Sequence, residues 1–175
     1  NKDNEKFVFY DGPATANGYP GLHHMLAKFL KDSFTKYHSM NGKRVVRKVG
    51  WDTHGLPIEN ALQKAGINRK EKTTAEFREL CEEYAYKQVD TQMGQFKRLG
   101  TLADYDHPYI TLHHEFEARE IDVFARMVER GLVFRGLKPV YWSPSSESAL
   151  AEAEIEYHDK EDTSIYVKFN VCDGN

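Results

Sequence analysis

An α/β fold built on a parallel sheet is predicted by three observations. A short apolar run at 7–10 (FVFY) stops at Asp11-Gly12-Pro13, an apolar stripe at helical spacing runs from Leu22 to Tyr37, and a valine-rich run follows at 44–49. Strand, helix and strand in that order close as a right-handed parallel unit.

The elements follow in chain order. FVFY reads as a buried strand ending in a turn, and 14–21 is a loop punctuated by Gly18, Pro20 and Gly21. Leu22, Met25, Leu26, Phe29, Leu30, Phe34 and Tyr37 carry a helix that stops at Asn41-Gly42. Val45, Val46 and Val49 mark a second strand, which ends in the loop GWDTHGLP at 50–57. A short helix is expected over 58–65 and a polar connector over 66–72. Thr73 with Glu76 matches a capping box, which opens a long helix through Phe77, Leu80, Cys81, Tyr84, Gln88, Met93 and Phe96. Residues 104–108 are turn-rich. A further helix shows Ile121, Phe124, Ala125 and Val128 on one face, and this stripe and the one at 77–96 are expected to be core. Two short antiparallel strands are expected at 132–134 and 140–142, around 135–139, and 149–155 is ambiguous. Ile165, Val167, Phe169 and Val171 alternate with Tyr166, Lys168 and Asn170, the period of a half-buried strand.

Composition narrows the class. The 175 residues carry 24 Lys+Arg against 27 Asp+Glu, a net charge of −3, with 40% hydrophobic residues, as expected for one globular domain. No run approaches the roughly 18 apolar residues of a spanning helix, and NKDNEK lacks the apolar core of a signal peptide, so no membrane partner and a cytoplasmic location are expected. Cys81 and Cys172 have no metal-like spacing, and the slightly acidic balance argues against a dominant nucleic-acid footprint. The first residue is Asn and the alternating tail reads as the start of a sheet, so a piece of a longer protein is expected.

Chemistry is expected at the carboxyl ends of the parallel strands, where both glycine-rich loops (11–21 and 50–57) fall. The first loop feeds a helix whose free N–H groups and dipole attract anions, and His23 and His24 can donate to phosphate oxygens. Neither common phosphate-loop signature is present, so the site is a nucleotide site of another sort; the plainer alternative is two exposed histidines at a helix start. Asp52 could hold a substrate amine, or simply cap the next helix, with Trp51 in the core. His54 has no nucleophile and acid arrangement around it, so no covalent mechanism is expected. Lys43, Arg44, Arg47 and Lys48 form a basic cluster that reads either as a tRNA or phosphate contact or as solvated strand flanks.

Four segments together carry a resemblance: FVFYDGPATANGYPGLHHMLAKFLKD (7–32), GWDTHGLPIE (50–59), GLVFRGLKPVYWSPSSESALAEAEIEYHD (131–159) and the strand-like tail. They resemble the front of the class I aminoacyl-tRNA synthetases, most closely the bacterial isoleucine-specific branch. The resemblance implies the first half of a Rossmann-like catalytic domain over 1–142, a metal-free zinc-knuckle-like connector over 143–160, and the start of an inserted editing domain over 161–175. It implies that Gly12, Pro13 and Trp51 line the isoleucine side-chain pocket, that Asp52 holds the substrate ammonium, and that Gly18, Gly21, His23 and His24 contact ATP, His24 and His23 being the catalytic pair. Two departures stand out. In the family's His-x-Gly-His signature, Gly21 replaces the first histidine and His23 the glycine, so His23 is expected to take part of the phosphate contact. At Ser143-Pro144-Ser145-Ser146 some relatives carry a Cys-x-x-Cys half-site, so no zinc is expected here.

The implied reaction is activation of isoleucine by ATP with Mg²⁺ and transfer to tRNA(Ile) through the parent chain, a monomer, with the fragment alone inactive. Isoleucine against valine is itself the standard illustration of how little one methylene discriminates, about 1–3 kcal/mol, hence the editing insertion. The alternatives are another class I synthetase, a different adenylate-forming nucleotidyltransferase, or a non-catalytic binding module derived from a synthetase.

Overall fold

The structure is a computed structural model, and it describes residues 3–9 and 11–170. Two compact units divide it, residues 1–132 and 133–175, so the division falls ten residues before the expected end of the first domain.

In the first unit, β1 (Lys6–Val8) and β3 (Arg44–Val46) pair in parallel, and they are joined through β2 (Ala14–Thr15) and helix α1 (Leu22–Met40). This is the expected strand, helix, strand unit; Tyr10, part of the expected first strand, lies outside the described residues. The valine run does not make one strand. It breaks at Arg47, whose guanidinium turns away to Asp32 (2.7 Å) and to the Leu102 carbonyl (3.0 Å), and pairing resumes as β4 (Lys48–Asp52). Gly50, Trp51 and Asp52, expected in a loop, are therefore strand residues. β4 lies between β2 and β5 (Asp104–Ile110), parallel to both.

The strand β5 corrects the turn expected at 104–108. Its Asp, His and Pro read as a turn, but β4 offers an open edge, and a terminal position in the sheet tolerates Pro108. The register closes by placing the Tyr109 ring flat over Gly50. The two strand ends are then locked by hydroxyls: the Thr53 N–H donates to Thr111 Oγ1 (3.0 Å) and the Leu112 N–H to Thr53 Oγ1 (3.0 Å).

Helices α2 (Leu56–Lys64) and α3 (Thr74–Arg98) close the sheet. The Thr73 capping box is present: Glu76 N–H donates to Thr73 Oγ1 (3.3 Å) and Thr73 N–H to Glu76 Oε2 (2.8 Å). Ala85, Val89 and Phe96 of α3 enter the core with Ala16, Val49, Trp51, Ile58 and Ile110, so this stripe is core as expected. Helix α4 (His114–Glu129) corrects the other. It has no buried residue, and Ile121, Val123 and Phe124 are each more than half exposed. Leu22, Leu26, Phe29, Leu30, Phe34 and Tyr37 of α1 are likewise more than half exposed. Helical spacing forms an apolar face, but it does not supply the surface that covers it.

In the second unit, residues 133–141 form no regular element, which corrects the strands expected at 132–134 and 140–142. The antiparallel pair lies further on: β6 (Trp142–Ser143) pairs with β7 (Ser148–Ala149) around the Pro144 to Glu147 turn. There Ser143 Oγ contacts Ser145 Oγ (3.1 Å) and Ser146 Oγ contacts Ser148 Oγ (3.2 Å). A 3-10 turn (Glu152–Glu154) follows. Residues 161–170 form no strand, and Val171 of the expected alternation lies outside the described residues, as does Cys172. No helix among the described residues is long and apolar enough to cross a membrane.

Candidate functional site

The two glycine-rich segments, some forty residues apart in sequence, meet through the β2/β4 pairing. Ala14 sits beside Trp51 and Thr15 beside Asp52, and the Ala16 N–H donates to the Asp52 carbonyl (2.8 Å). Gly12 and Pro13, both exposed, lead directly into this pairing. The Asp52 side chain is half-buried and engages no hydrogen bond or ion pair among the described residues. It does not cap the next helix: α2 begins at Leu56 with Gly55 as its N-cap, and no side chain caps it. That removes the capping explanation and leaves an acceptor carboxylate at the end of the central strand. Trp51 is 0% exposed and stacks on Phe96 with centroids 6.4 Å apart. It can shape a pocket only as its floor, from beneath the residues it supports.

Asp11 anchors the start of the loop. Lys28 (2.6 Å) and Lys31 (2.5 Å), in the second and third turns of α1, bind its two carboxylate oxygens. Burial alone would raise its pKa, but the two ammonium groups outweigh it and hold the carboxyl below its ordinary value.

The other end of the loop is the start of α1, with Gly21 as N-cap. The Leu22 and His23 amides donate to no described residue, leaving them aimed at whatever lies beyond the helix. His24 folds back so that its Nδ1 accepts the Gly21 N–H (3.1 Å), which fixes the neutral ring with its proton on Nε2, pointing outward. Partial burial, then the neighbouring His23 and Lys28, push its pKa down and favour that neutral form. The His23 ring lies 3.9 Å from the His24 ring. A Cβ at position 21 would stand 2.9 Å from His23 Cε1, so the His23 ring occupies the space beside Gly21 that a side chain there would fill. The two exchanged positions therefore touch: a side chain at 21 would have to displace the exposed His23 ring.

Three residues at this end were not singled out from the sequence. The Tyr109 hydroxyl approaches the Asp11 carbonyl at 3.5 Å, and burial, then the charges of Asp11 and Asp52, push its pKa up. From α3, Tyr84 donates to the Asn17 carbonyl (3.0 Å) and Gln92 reaches both glycine-rich segments. Their partners lie 67 or more residues away for the loop contacts, so no local pattern announces them.

A cleft of about 640 Å³ opens beside these residues, lined by Thr53, His54, Arg69, Arg78, Cys81 and Glu117 among others, and none of the predicted site residues lines it. In it Glu117 faces His54 and His114, each at 3.6 Å. Half-burial, chiefly, pushes the Cys81 thiol up, so this cysteine is not an activated nucleophile. The basic cluster resolves toward structure: Lys43 pairs with Glu5 (2.9 Å), Arg47 with Asp32 (2.7 Å) and Lys48 with Asp104 (3.4 Å).

Comparison with known proteins shows the family. The family model described as tRNA synthetases class I (I, L, M and V) matches residues 1–170. Isoleucine–tRNA ligase of Exiguobacterium sibiricum is 61% identical over 168 residues, 96% of this chain and 18% of the relative. The Bacillus subtilis isoleucine–tRNA ligase is 59% identical over 174 residues, and the Staphylococcus aureus one 56% over 173, each 99% of this chain and 19% of the relative. The chain thus spans about a fifth of the length of the curated relatives it matches. A solved ternary complex of LeuRS, tRNA and LeuAMS from Agrobacterium radiobacter K84 superposes with a TM-score of 0.74 at 21% identity, covering 87% of this chain and 18% of that one, which establishes a shared fold.

Proposed function

Because this chain belongs to the class I tRNA synthetases (I, L, M and V), we propose that it supplies half of the aminoacylation site of an isoleucine–tRNA ligase. The observation that carries this reading is the β2/β4 register. It sets an unengaged carboxylate, Asp52, beside the loop that ends at the open N-terminus of α1, so a cation and an anion can be held at the two ends of one short loop.

Isoleucine binds with its ammonium on Asp52 and its side chain against Gly12 and Pro13, over the floor set by Trp51. ATP, arriving with Mg²⁺, lies along Gly18 and Gly21 with its phosphates at the α1 amides, His24 Nε2 and the His23 ring. The substrate carboxylate attacks the α-phosphorus in line, a new P–O bond forms, and the bond to pyrophosphate breaks with its electron pair leaving on pyrophosphate. A hydroxyl of the terminal ribose of tRNA(Ile), gripped by the longer polypeptide, then attacks the acyl carbonyl, forming the ester and losing its proton, and AMP leaves with the electron pair of the mixed-anhydride C–O bond. Catalysis here is positioning and charge stabilisation, which suits a site made of helix N–H groups, imidazole donors and one carboxylate. The exposed faces of α1 and α4 fit the same reading, since a longer polypeptide supplies cover for them. So does a domain order of catalytic half to 142, connector to 160 and editing domain from 161, in a monomeric cytoplasmic enzyme.

The test is the full-length protein with Asp52→Asn. The isoleucine KM in ATP–pyrophosphate exchange should rise by roughly ten- to a hundredfold, as for a lost charge-assisted hydrogen bond of about 1.5–3 kcal/mol, with the ATP KM nearly unchanged. Equal rises in both would remove Asp52 from the amino-acid site.

A further inference from the structure

Gln92 is a buried amide in the middle of α3, 3% exposed, in a helix whose other polar residues mostly face solvent. Its Oε1 accepts the Trp51 indole N–H (3.0 Å), and its Nε2 donates to the Thr15 carbonyl (3.0 Å) and the Gly18 carbonyl (2.7 Å). The orientation of the amide is dictated by chemistry. An indole nitrogen only donates and a peptide carbonyl only accepts, so the oxygen must face Trp51 and the nitrogen must face the loop. Both amide hydrogens and an oxygen lone pair are used, and truncation would take this partner from the buried Trp51 indole and from two partly buried carbonyls.

Those partners belong to the two segments on which the site rests. Thr15 and Gly18 bracket the turn of the nucleotide loop, whose Ala16 is 0% exposed and tied to Asp52. Trp51 immediately precedes Asp52 in β4. Tyr84, two helical turns before Gln92, holds the intervening Asn17 carbonyl, so α3 grips the loop at the carbonyls of Thr15, Asn17 and Gly18. We propose that Gln92 is a positioning residue that sets the amino-acid pocket and the nucleotide loop in one rigid frame, through its simultaneous hydrogen bonds to Trp51, Thr15 and Gly18. The proposal rests on the functional reading above and adds that the two substrate subsites are coupled through this one side chain.

The experiment uses the full-length protein with Gln92→Met, which keeps side-chain length and loses every hydrogen bond. KM for isoleucine and for ATP should rise together, each on the order of tenfold. The Ala16 amide should exchange faster by a similar factor, and Tyr84→Phe should move the ATP KM alone. If Gln92→Met lowers the melting temperature but leaves both KM values of the active-site-titrated enzyme unchanged, the amide serves packing alone and the proposal is overturned. Should Gln92→Met fail to fold, Gln92→Glu keeps the acceptor for Trp51 and loses both donations; it should raise the ATP KM and Ala16 exchange, and unchanged values would overturn the proposal. If the unaltered protein shows no exchange with any amino acid, the functional reading falls separately, and Ala16 exchange in Gln92→Met still decides whether this side chain holds the loop.

Discussion

Replacing Gly50 by alanine perturbs the strand end that carries Asp52 at a point where the geometry leaves no slack. A Cβ there would stand 2.1, 2.2 and 2.4 Å from three atoms of the Tyr109 ring, at least 1 Å inside ordinary contact, which begins at 3.4 Å. The ring cannot slide freely: Phe116 stacks on it with centroids 6.1 Å apart at 13°, and its hydroxyl lies over the Asp11 carbonyl. Overpacking of this kind costs about 1–3 kcal/mol. Local opening of the β4/β5 pair would then be roughly five- to 150-fold more populated, a factor read from amide exchange of Thr111, whose N–H donates to the Trp51 carbonyl (3.2 Å). Tyr109→Ala removes the obstacle, so the double variant should be less damaged than the sum of the two singles. Exchange of Thr111 at the unaltered rate in Gly50→Ala, or strict additivity in the double variant, would refute the reasoning.

Asp11 and Asp32 are both buried enough to be raised, but the first is overcome by Lys28 and Lys31 and the second by Lys36, the Leu102 N–H and Arg47, so both lie below the ordinary 3.8. Depressed folded-state values mean that their contribution to stability is complete above pH 3.8 and is lost as pH falls through the lowered values; acid unfolding should show this limb, and Asp32→Asn should flatten it. At the start of α1, Gly21→His should push the exposed His23 ring out of its place and raise the ATP KM, whereas Gly21→His with His23→Gly removes that ring and should lower it again, a coupling of about 0.5 kcal/mol in an ATP KM cycle because the ring can swing aside. Thr73→Ala removes the hydroxyl that accepts the Glu76 N–H and should cost α3 about 1 kcal/mol, seen as faster exchange of that amide.

What the sequence disclosed tracks how local each signal is. α1, α2 and α3 were readable because apolar spacing and the Thr73 cap are written within a few residues. β5 was not, because Asp104, His107 and Pro108 suit a turn and only the open edge of β4 makes them a strand. Leu132 to Tyr141 contains strand-like letters without strand partners, and the α4 stripe has core-like letters without a cover. In both cases the pattern states a preference that other parts of the chain must satisfy. Asp52 and His24 were visible as residue types at suggestive places, and resemblance gave them roles. Gln92 and Tyr109 were invisible as site residues, since a glutamine in a helix reads as surface and Tyr109 only follows a turn-rich stretch until the third dimension joins them to Trp51 and Gly50.

Amino-acid-dependent ATP–pyrophosphate exchange by the full-length protein, with isoleucine, valine and leucine in parallel and His24→Ala as control, tests the central claim most directly. Exchange should be strongest with isoleucine, weaker by roughly ten- to 200-fold with valine as one methylene allows, and lost in His24→Ala. Exchange with none of the three would contradict that claim, and exchange undiminished in His24→Ala would place the nucleotide somewhere other than the start of α1.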